Sequence, residues 1–146
     1  MKLNETIEFH IKTTSLALTR MYNSIAAEYG ITQTMGYILT YVSKEGTPST
    51  KLATELGMKK SSLTRMLKKM EDEGLIFRET NQVDKRIVKV FLSEDGVNRR
   101  KIAKSTVVDF NEKLLQEVSQ DDLAIFIKVS DIIKNQVESE MNLQNI

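Results

Sequence analysis

Apolar residues recur along this chain with the period of a helix, then with the period of a strand, then with that of a helix again. Ile7, Ile11, Leu18, Tyr22, Ile25 and Tyr29 lie at helical spacing, so Asn4 to Tyr29 is expected as a first helix stopped by Gly30. A second, from Thr34 to Lys44, presents Tyr37, Ile38, Tyr41 and Val42 before "EGTPS" turns the chain. Ser49 is the expected N-cap of a short third helix, Thr50 to Leu56, ended by Gly57. A fourth runs from about Lys60 to Glu73 and ends at Gly74. The period then falls to two: "LIFRET" (75–80) and "IVKVFL" (87–92) are rich in β-branched and aromatic residues and read as a hairpin around "NQVDKR". Ser93, Glu94 and Asp95 open a fifth helix reaching about Val118. The capping-box pattern Ser119-x-x-Asp122 opens a sixth that reaches about Met141. The fold class expected is mainly α with a small antiparallel β-hairpin.

The last helix is too apolar for an ordinary surface helix. Leu123, Phe126, Ile127, Ile133 and Val137 make one stripe, and Ile125, Val129 and Ile132 widen it beyond the roughly 100° that faces a single core. It is either the central helix of a bundle or a helix covered by a second copy of the chain. The second reading is preferred, because the terminal helices flank a compact middle and otherwise lack partners.

Composition narrows the function. The chain has 146 residues, 21 basic and 20 acidic, so its net charge alone argues for no partner. The distribution argues more: residues 44–90 hold eleven basic and seven acidic side chains, residues 105–146 three basic and eight acidic. Cysteine is absent, which excludes disulfides, thiolate metal sites and cysteine nucleophiles. No signal-peptide pattern and no apolar run near 18 residues occurs, so a cytoplasmic protein with no membrane association is expected.

Residues 49–68, "STKLATELGMKKSSLTRMLK", have the spacing of a helix-turn-helix. Ala53 falls where the two helices must approach closely, and Gly57 falls at the turn, where a left-handed backbone is needed. Leu52, Leu56, Met58, Leu63 and Met66 take the apolar positions. On the second helix Leu63, Met66, Leu67 and Met70 form an inward face. Ser61, Arg65 and Lys68 then centre the outward face, flanked by Ser62, Thr64 and Lys69. Small hydroxyls near the N-terminus followed by long cations suit a helix entering a DNA major groove N-terminus first, with Arg65 in reach of a guanine edge. In the loop "NQVDKR", Arg86 is placed for a minor groove and Lys85 for a phosphate. Asp84 is expected to hold the turn by accepting from Arg86 or from the backbone.

This constellation resembles the multiple-antibiotic-resistance regulator (MarR) family of winged-helix transcription factors. The resemblance rests on "LATELGMKKSSLTRMLKKMEDEGLI", on the D-x-R of Asp84 and Arg86, and on "VFLSEDG", which is similar to the family's L-[ST]-x-x-G. It implies a winged helix-turn-helix DNA-binding lobe over residues 34–93 and a helical dimerisation region from residues 1–30 and 94–146. It further implies a homodimer on double-stranded DNA that regulates transcription as a repressor at a pseudo-palindromic operator. By the same match, Ser61, Ser62, Thr64 and Arg65 take base and backbone contacts, and Arg86, held by Asp84, takes the minor groove. The chain departs from the pattern at Lys59 and Lys60, which stand where a serine cap and a neutral or proline residue are frequent. Losing the cap costs about 1 kcal/mol, while the two lysines gain phosphate contacts that make binding more salt-sensitive.

The resemblance also implies control by a small aromatic or anionic effector. Tyr22, Tyr37 and Tyr41, with Tyr29, could line such a pocket, although core packing is the commoner use of such tyrosines. A thiol-oxidation switch is excluded with the cysteines. His10 is the only histidine, which argues against a metal site, and no cofactor is expected. Two other function classes fit the sequence less well. An enzyme lacks a phosphate loop, a nucleophile–base pair or clustered ligands. A winged-helix module for protein–protein contact would not need the five cations of residues 57–70.

Overall fold

The computed structural model describes residues 1–144. A single 3-10 turn, Leu3–Glu5, precedes α1 (Ile7–Ala27). There follow α2 (Gln33–Tyr41), β1 (Thr47–Pro48), α3 (Ser49–Leu56), α4 (Lys60–Asp72), β2 (Ile76–Thr80), β3 (Val88–Leu92), α5 (Glu94–Glu117) and α6 (Gln120–Gln144). The chain divides into two compact units, residues 1–105 and residue 106 onward. No described helix is long and apolar enough to cross a membrane.

The first unit is organised by a core of twelve buried apolar side chains. Met35, Ile38 and Leu39 of α2, Leu52 of α3, Leu63, Leu67 and Met70 of α4, and Ile76 and Val90 of the sheet are its centre. Burying each such side chain stabilises by about 1.5–3 kcal/mol. These residues are why α3 and α4 cross as they do: each helix turns one apolar stripe inward and leaves the rest to solvent. Between them Gly57 adopts φ 59°, ψ 31°. A side chain there would meet nothing within 4 Å, so the demand for glycine comes from the left-handed backbone rather than from space. The turn is a Schellman stop, with Met58 N–H donating to the Ala53 carbonyl at 3.0 Å and Gly57 N–H to Thr54 at 3.2 Å. Residues 70–75 close α4 the same way, Leu75 N–H reaching Met70 at 2.9 Å.

Three local expectations need correction. The hairpin is part of a three-stranded antiparallel sheet in the order β1-β3-β2, because Thr47 and Pro48 pair with Val90 and Lys89. That pairing holds the backbone extended through Pro48, so Pro48 is the N-cap of α3 and Ser49 is its first helical residue, with no side-chain cap. The first helix does not begin at Asn4: Thr6 is extended (φ −85°, ψ 148°) and accepts from Phe9 N–H, so α1 starts at Ile7. The expected Ser119–Asp122 cap is formed, with Asp122 N–H donating to Ser119 Oγ at 3.1 Å.

The start of α5 is stitched to the end of α4. Ser93 Oγ donates to the Gly74 carbonyl at 2.6 Å and accepts from Gly96 N–H at 3.0 Å, while Ser93 N–H donates to the Leu75 carbonyl at 3.1 Å. A Cβ added at Gly96 would be driven into that Leu75 oxygen. This is the physical content of the "LSEDG" motif. Further along α5, Arg100 Nη1 donates to the Val42 carbonyl at the end of α2 at 3.1 Å.

The second unit is the C-terminal part of α5 with α6. None of its described residues is buried.

Candidate nucleic-acid interface

The surface of α4 follows from its sequence by angle. Leu63, Leu67 and Met70 are buried and Met66 is half-buried, which turns Ser61, Thr64, Arg65, Lys68 and Lys69 to solvent and leaves Ser62 half-buried. Lys59 is the N-cap, extended at φ −64°, ψ 140°, with no side-chain cap, and no acid lies in the first turn. The first N–H groups of α4 thus face outward without an intramolecular acceptor from a side chain, beside the ammonium groups of Lys59 and Lys60.

The five cations of this segment are not equivalent. Lys68 pairs with Asp72 at 3.4 Å and Lys69 with Glu73 at 3.9 Å, both one turn on. Lys59, Lys60 and Arg65 have no acidic partner among the described residues. Uncompensated positive charge is therefore concentrated at the N-terminal half of the helix. The outward placement expected of Lys68 and Lys69 beside Arg65 holds, but Asp72 and Glu73 one turn on set these two lysines apart from it. The i, i+4 spacing was the signal that separates them. The hydroxyls divide similarly: those of Ser61 and Ser62 have no hydrogen-bond partner among the described residues, whereas Thr64 Oγ1 donates to the Lys60 carbonyl at 2.8 Å.

The 81–87 loop between β2 and β3 is fixed by two short side chains. Asn81 Oδ1 accepts from the N–H groups of Val83 (2.8 Å) and Asp84 (3.1 Å), and Asn81 N–H closes on the Ile87 carbonyl at 2.8 Å. Asp84 Oδ1 accepts from Arg86 N–H and Nε, both at 3.0 Å, and Oδ2 accepts from Nη2 at 3.1 Å. The Arg86 side-chain hydrogen bonds, then its backbone N–H, hold the Asp84 carboxyl below its ordinary pKa. The fork of Arg86 is thereby pre-aimed, with the side chain 91% exposed and its remaining N–H groups free to point outward. Lys85 is exposed at the same tip. Asp84 does what the sequence led one to expect of it. Asn81 was missed, although an Asn two residues ahead of a turn is a recognised Asx signal.

A bidentate pair ties the two parts together. Arg78 of β2 donates from Nη2 to Glu71 Oε1 at 2.9 Å and from Nε to Oε2 at 3.1 Å. The Arg78 hydrogen bond lowers the Glu71 pKa against a smaller desolvation effect. This contact fixes the last turn of α4 on the strand that leads into the 81–87 loop, and nothing in local spacing announced it.

The aromatic candidates belong to other helices, α1 and α2. Tyr22 of α1 and Tyr37 of α2 are near neighbours: burial raises the Tyr22 phenol pKa, and the Tyr37 phenol raises it further. Gln33 Nε2 donates to Tyr37 Oη at 3.3 Å, and Gln33 N–H donates to Asn23 Oδ1 at 2.9 Å, joining the two helices. Tyr41 follows Tyr37 by one turn, and both are 47% exposed. Core packing, the commoner fate, is thus not theirs. His10 is exposed and stands edge-on to Phe9 at 5.5 Å. Among the described residues no group of three His, Asp or Glu could hold a metal ion.

The chain matches the MarR family over residues 31–88. It is similar to the organic hydroperoxide resistance transcriptional regulator of Bacillus subtilis (strain 168), 32% identical over 97 residues that span 66% of this chain and 66% of that protein. Its fold is similar to that of S. aureus MepR in complex with DNA, with TM-score 0.80, 17% identity, and 92% of this chain and 97% of that one covered. It is also similar to a cysteine-to-serine mutant of E. coli MarR complexed with operator DNA, with TM-score 0.78, 23% identity, and 91% and 99% covered. These relatives are transcription regulators, not enzymes.

Proposed function

Because this chain belongs to the MarR family of transcriptional regulators, we propose that it represses transcription by binding a pseudo-palindromic operator as a homodimer. Each protomer lays α4 in a major groove and Arg86 in the flanking minor groove, with half-sites about 10 bp apart. The observation that carries the reading is the cluster of Lys59, Lys60 and Arg65, which have no acidic partner among the described residues and stand beside the free hydroxyls of Ser61 and Ser62 on one exposed end of α4. A cationic helix face that existed only for solubility would not need its acids gathered at the opposite end, as Glu71, Asp72 and Glu73 are. The uncapped N–H groups and the two lysines take phosphate oxygens, and Arg65 takes a base edge. Lys68 and Lys69 exchange exposed, weak ion pairs for phosphates at little cost.

Dimerisation is supported by α6, where Phe126 is 67% exposed and Ile125, Ile127 and Ile132 more than half exposed; contiguous apolar surface of this kind marks an interface. An aromatic or anionic effector would bind beside Tyr22 and Tyr37, whose phenols and the Gln33 amide offer both stacking and hydrogen bonds.

Sequencing the genomic fragments retained by the purified protein at physiological salt tests the reading. On the recovered site Arg65→Ala should cost about 1–3 kcal/mol, and Lys59→Ala should lower the salt slope by about 1 with little change in specificity. Retention of no duplex would overturn it in favour of a protein-contact module.

A further inference from the structure

The hydroxyl-bearing residues on the exposed side of α4 differ in a way that decides what they can say to DNA. For Ser61 and Ser62 the residue four positions back, Gly57 or Met58, lies outside the helix. Their hydroxyl protons have no partner among the described residues and are available as donors. Thr64 is the first whose i−4 residue, Lys60, is helical. Its hydroxyl proton is committed to the Lys60 carbonyl at 2.8 Å. With Oγ1 turned back along the helix, the other branch of Cβ, the γ-methyl, becomes the group this exposed residue has left to offer. It stands one residue before Arg65 on a face otherwise made of cations and hydroxyls. A methyl gains nothing beside a phosphate. In the major groove the one apolar group on any base pair is the 5-methyl of thymine.

We propose that Thr64 reads the operator through its γ-methyl, selecting a thymine 5-methyl in each half-site, next to the base that Arg65 contacts. The inference rests on the placement of α4 in the major groove given above and adds to it a base identity and the atom that reads it. It divides the helix by chemistry: Ser61, Ser62 and the lysines hold phosphates, and Thr64 with Arg65 reads bases.

The test uses the full-length protein and the duplex it selects most tightly from a random pool. Each thymine in the half-sites is replaced in turn by deoxyuridine, which removes only the 5-methyl. One position per half-site should lose about fourfold in affinity, the effect of one buried methyl-sized group. Thr64→Ser, which keeps the hydroxyl but changes both protomers, should lose about sixteenfold on the thymine duplex, about fourfold per half-site, and become indifferent to deoxyuridine. Thr64→Val, which keeps a methyl and drops the hydroxyl, should bind within about twofold of the parent and stay sensitive. The proposal is overturned by half-sites without thymine, by tight binding that ignores every deoxyuridine, or by a Thr64→Ser variant that keeps the parent's sensitivity. Each of these leaves operator binding itself intact. Failure to select any duplex overturns the operator reading, and this one with it.

Discussion

The lobe between Ile31 and Leu92 and the unit from residue 106 onward spend their apolar residues in opposite ways. The lobe closes twelve of them into a core in which Ile38, Leu39, Leu52 and Met70 are inaccessible. The C-terminal unit is as visibly patterned, yet none of its described residues is buried, and Val108, Phe126 and Val137 are all more than half exposed. A closed core marks a part of the chain whose folding is complete within one molecule. An apolar helix with no buried residue marks a part whose burial comes from another surface.

The contrast can be broken most forcefully at α6. Under the proposed homodimer, Phe126→Glu combined with Ile132→Glu should convert the dimer to a monomer at micromolar concentration in sedimentation experiments, a loss of several kcal/mol of association energy. A dimer that survives the double change would show that another surface covers the subunit contact. Leu67→Ala, in the lobe, should instead lower unfolding stability by about 2–5 kcal/mol at fixed protein concentration, read by urea denaturation, with the residual dimer interface unaffected. Gly96→Ala should cost about 1–3 kcal/mol by the same measurement, because the added carbon meets a backbone carbonyl rather than a yielding side chain. A neutral outcome there would mean the α5 start is looser than its hydrogen bonds imply.

The smallest effect is pH-dependent. Glu71 is held below its ordinary pKa of 4.5 by Arg78. The stability it contributes is therefore fully present above that ordinary value and is lost as pH falls through the lower, folded one. Glu71→Gln should cost about 1 kcal/mol near pH 7, since the pair is about one-third exposed. The gap between variant and parent should close as pH falls below 4.5 and through the lower folded value, measured as paired urea melts. A gap independent of pH would assign the effect to packing instead of charge.

Much of the fold was legible because its signals are local. The i, i+3, i+4, i+7 run of Leu63, Met66, Leu67 and Met70 fixes which side of α4 is outward. Gly57 marks a left-handed turn, Ser119-x-x-Asp122 a cap, and Asp84-x-Arg86 a two-residue clamp, and all four stand in the structure. What escaped is non-local or masked by propensity. β1 is two residues that become a strand only because β3 runs beside them. Glu71 and Arg78 meet across the Gly74 turn, one on a helix and the other on a strand, so no single period runs through both. Thr6 interrupts an otherwise helical pattern because its hydroxyl caps α1 better than its backbone would extend it. The N-terminal bias of charge on α4 was local, but only in a window four residues longer than the cationic run.

The Gly96 contact carries a mechanical consequence. A joint with clearance absorbs small displacements; the first turn of α5 has none over the Leu75 carbonyl, and the Ser93 hydrogen bonds clamp it from the other side. Leu75 in turn is bonded to Met70 in the last turn of α4. A push along α5 is therefore delivered to α4 with little loss, as through a stiff rod rather than a spring. In the proposed dimer, with two α4 helices spaced to one duplex, a small shift at this joint would move the whole gauge.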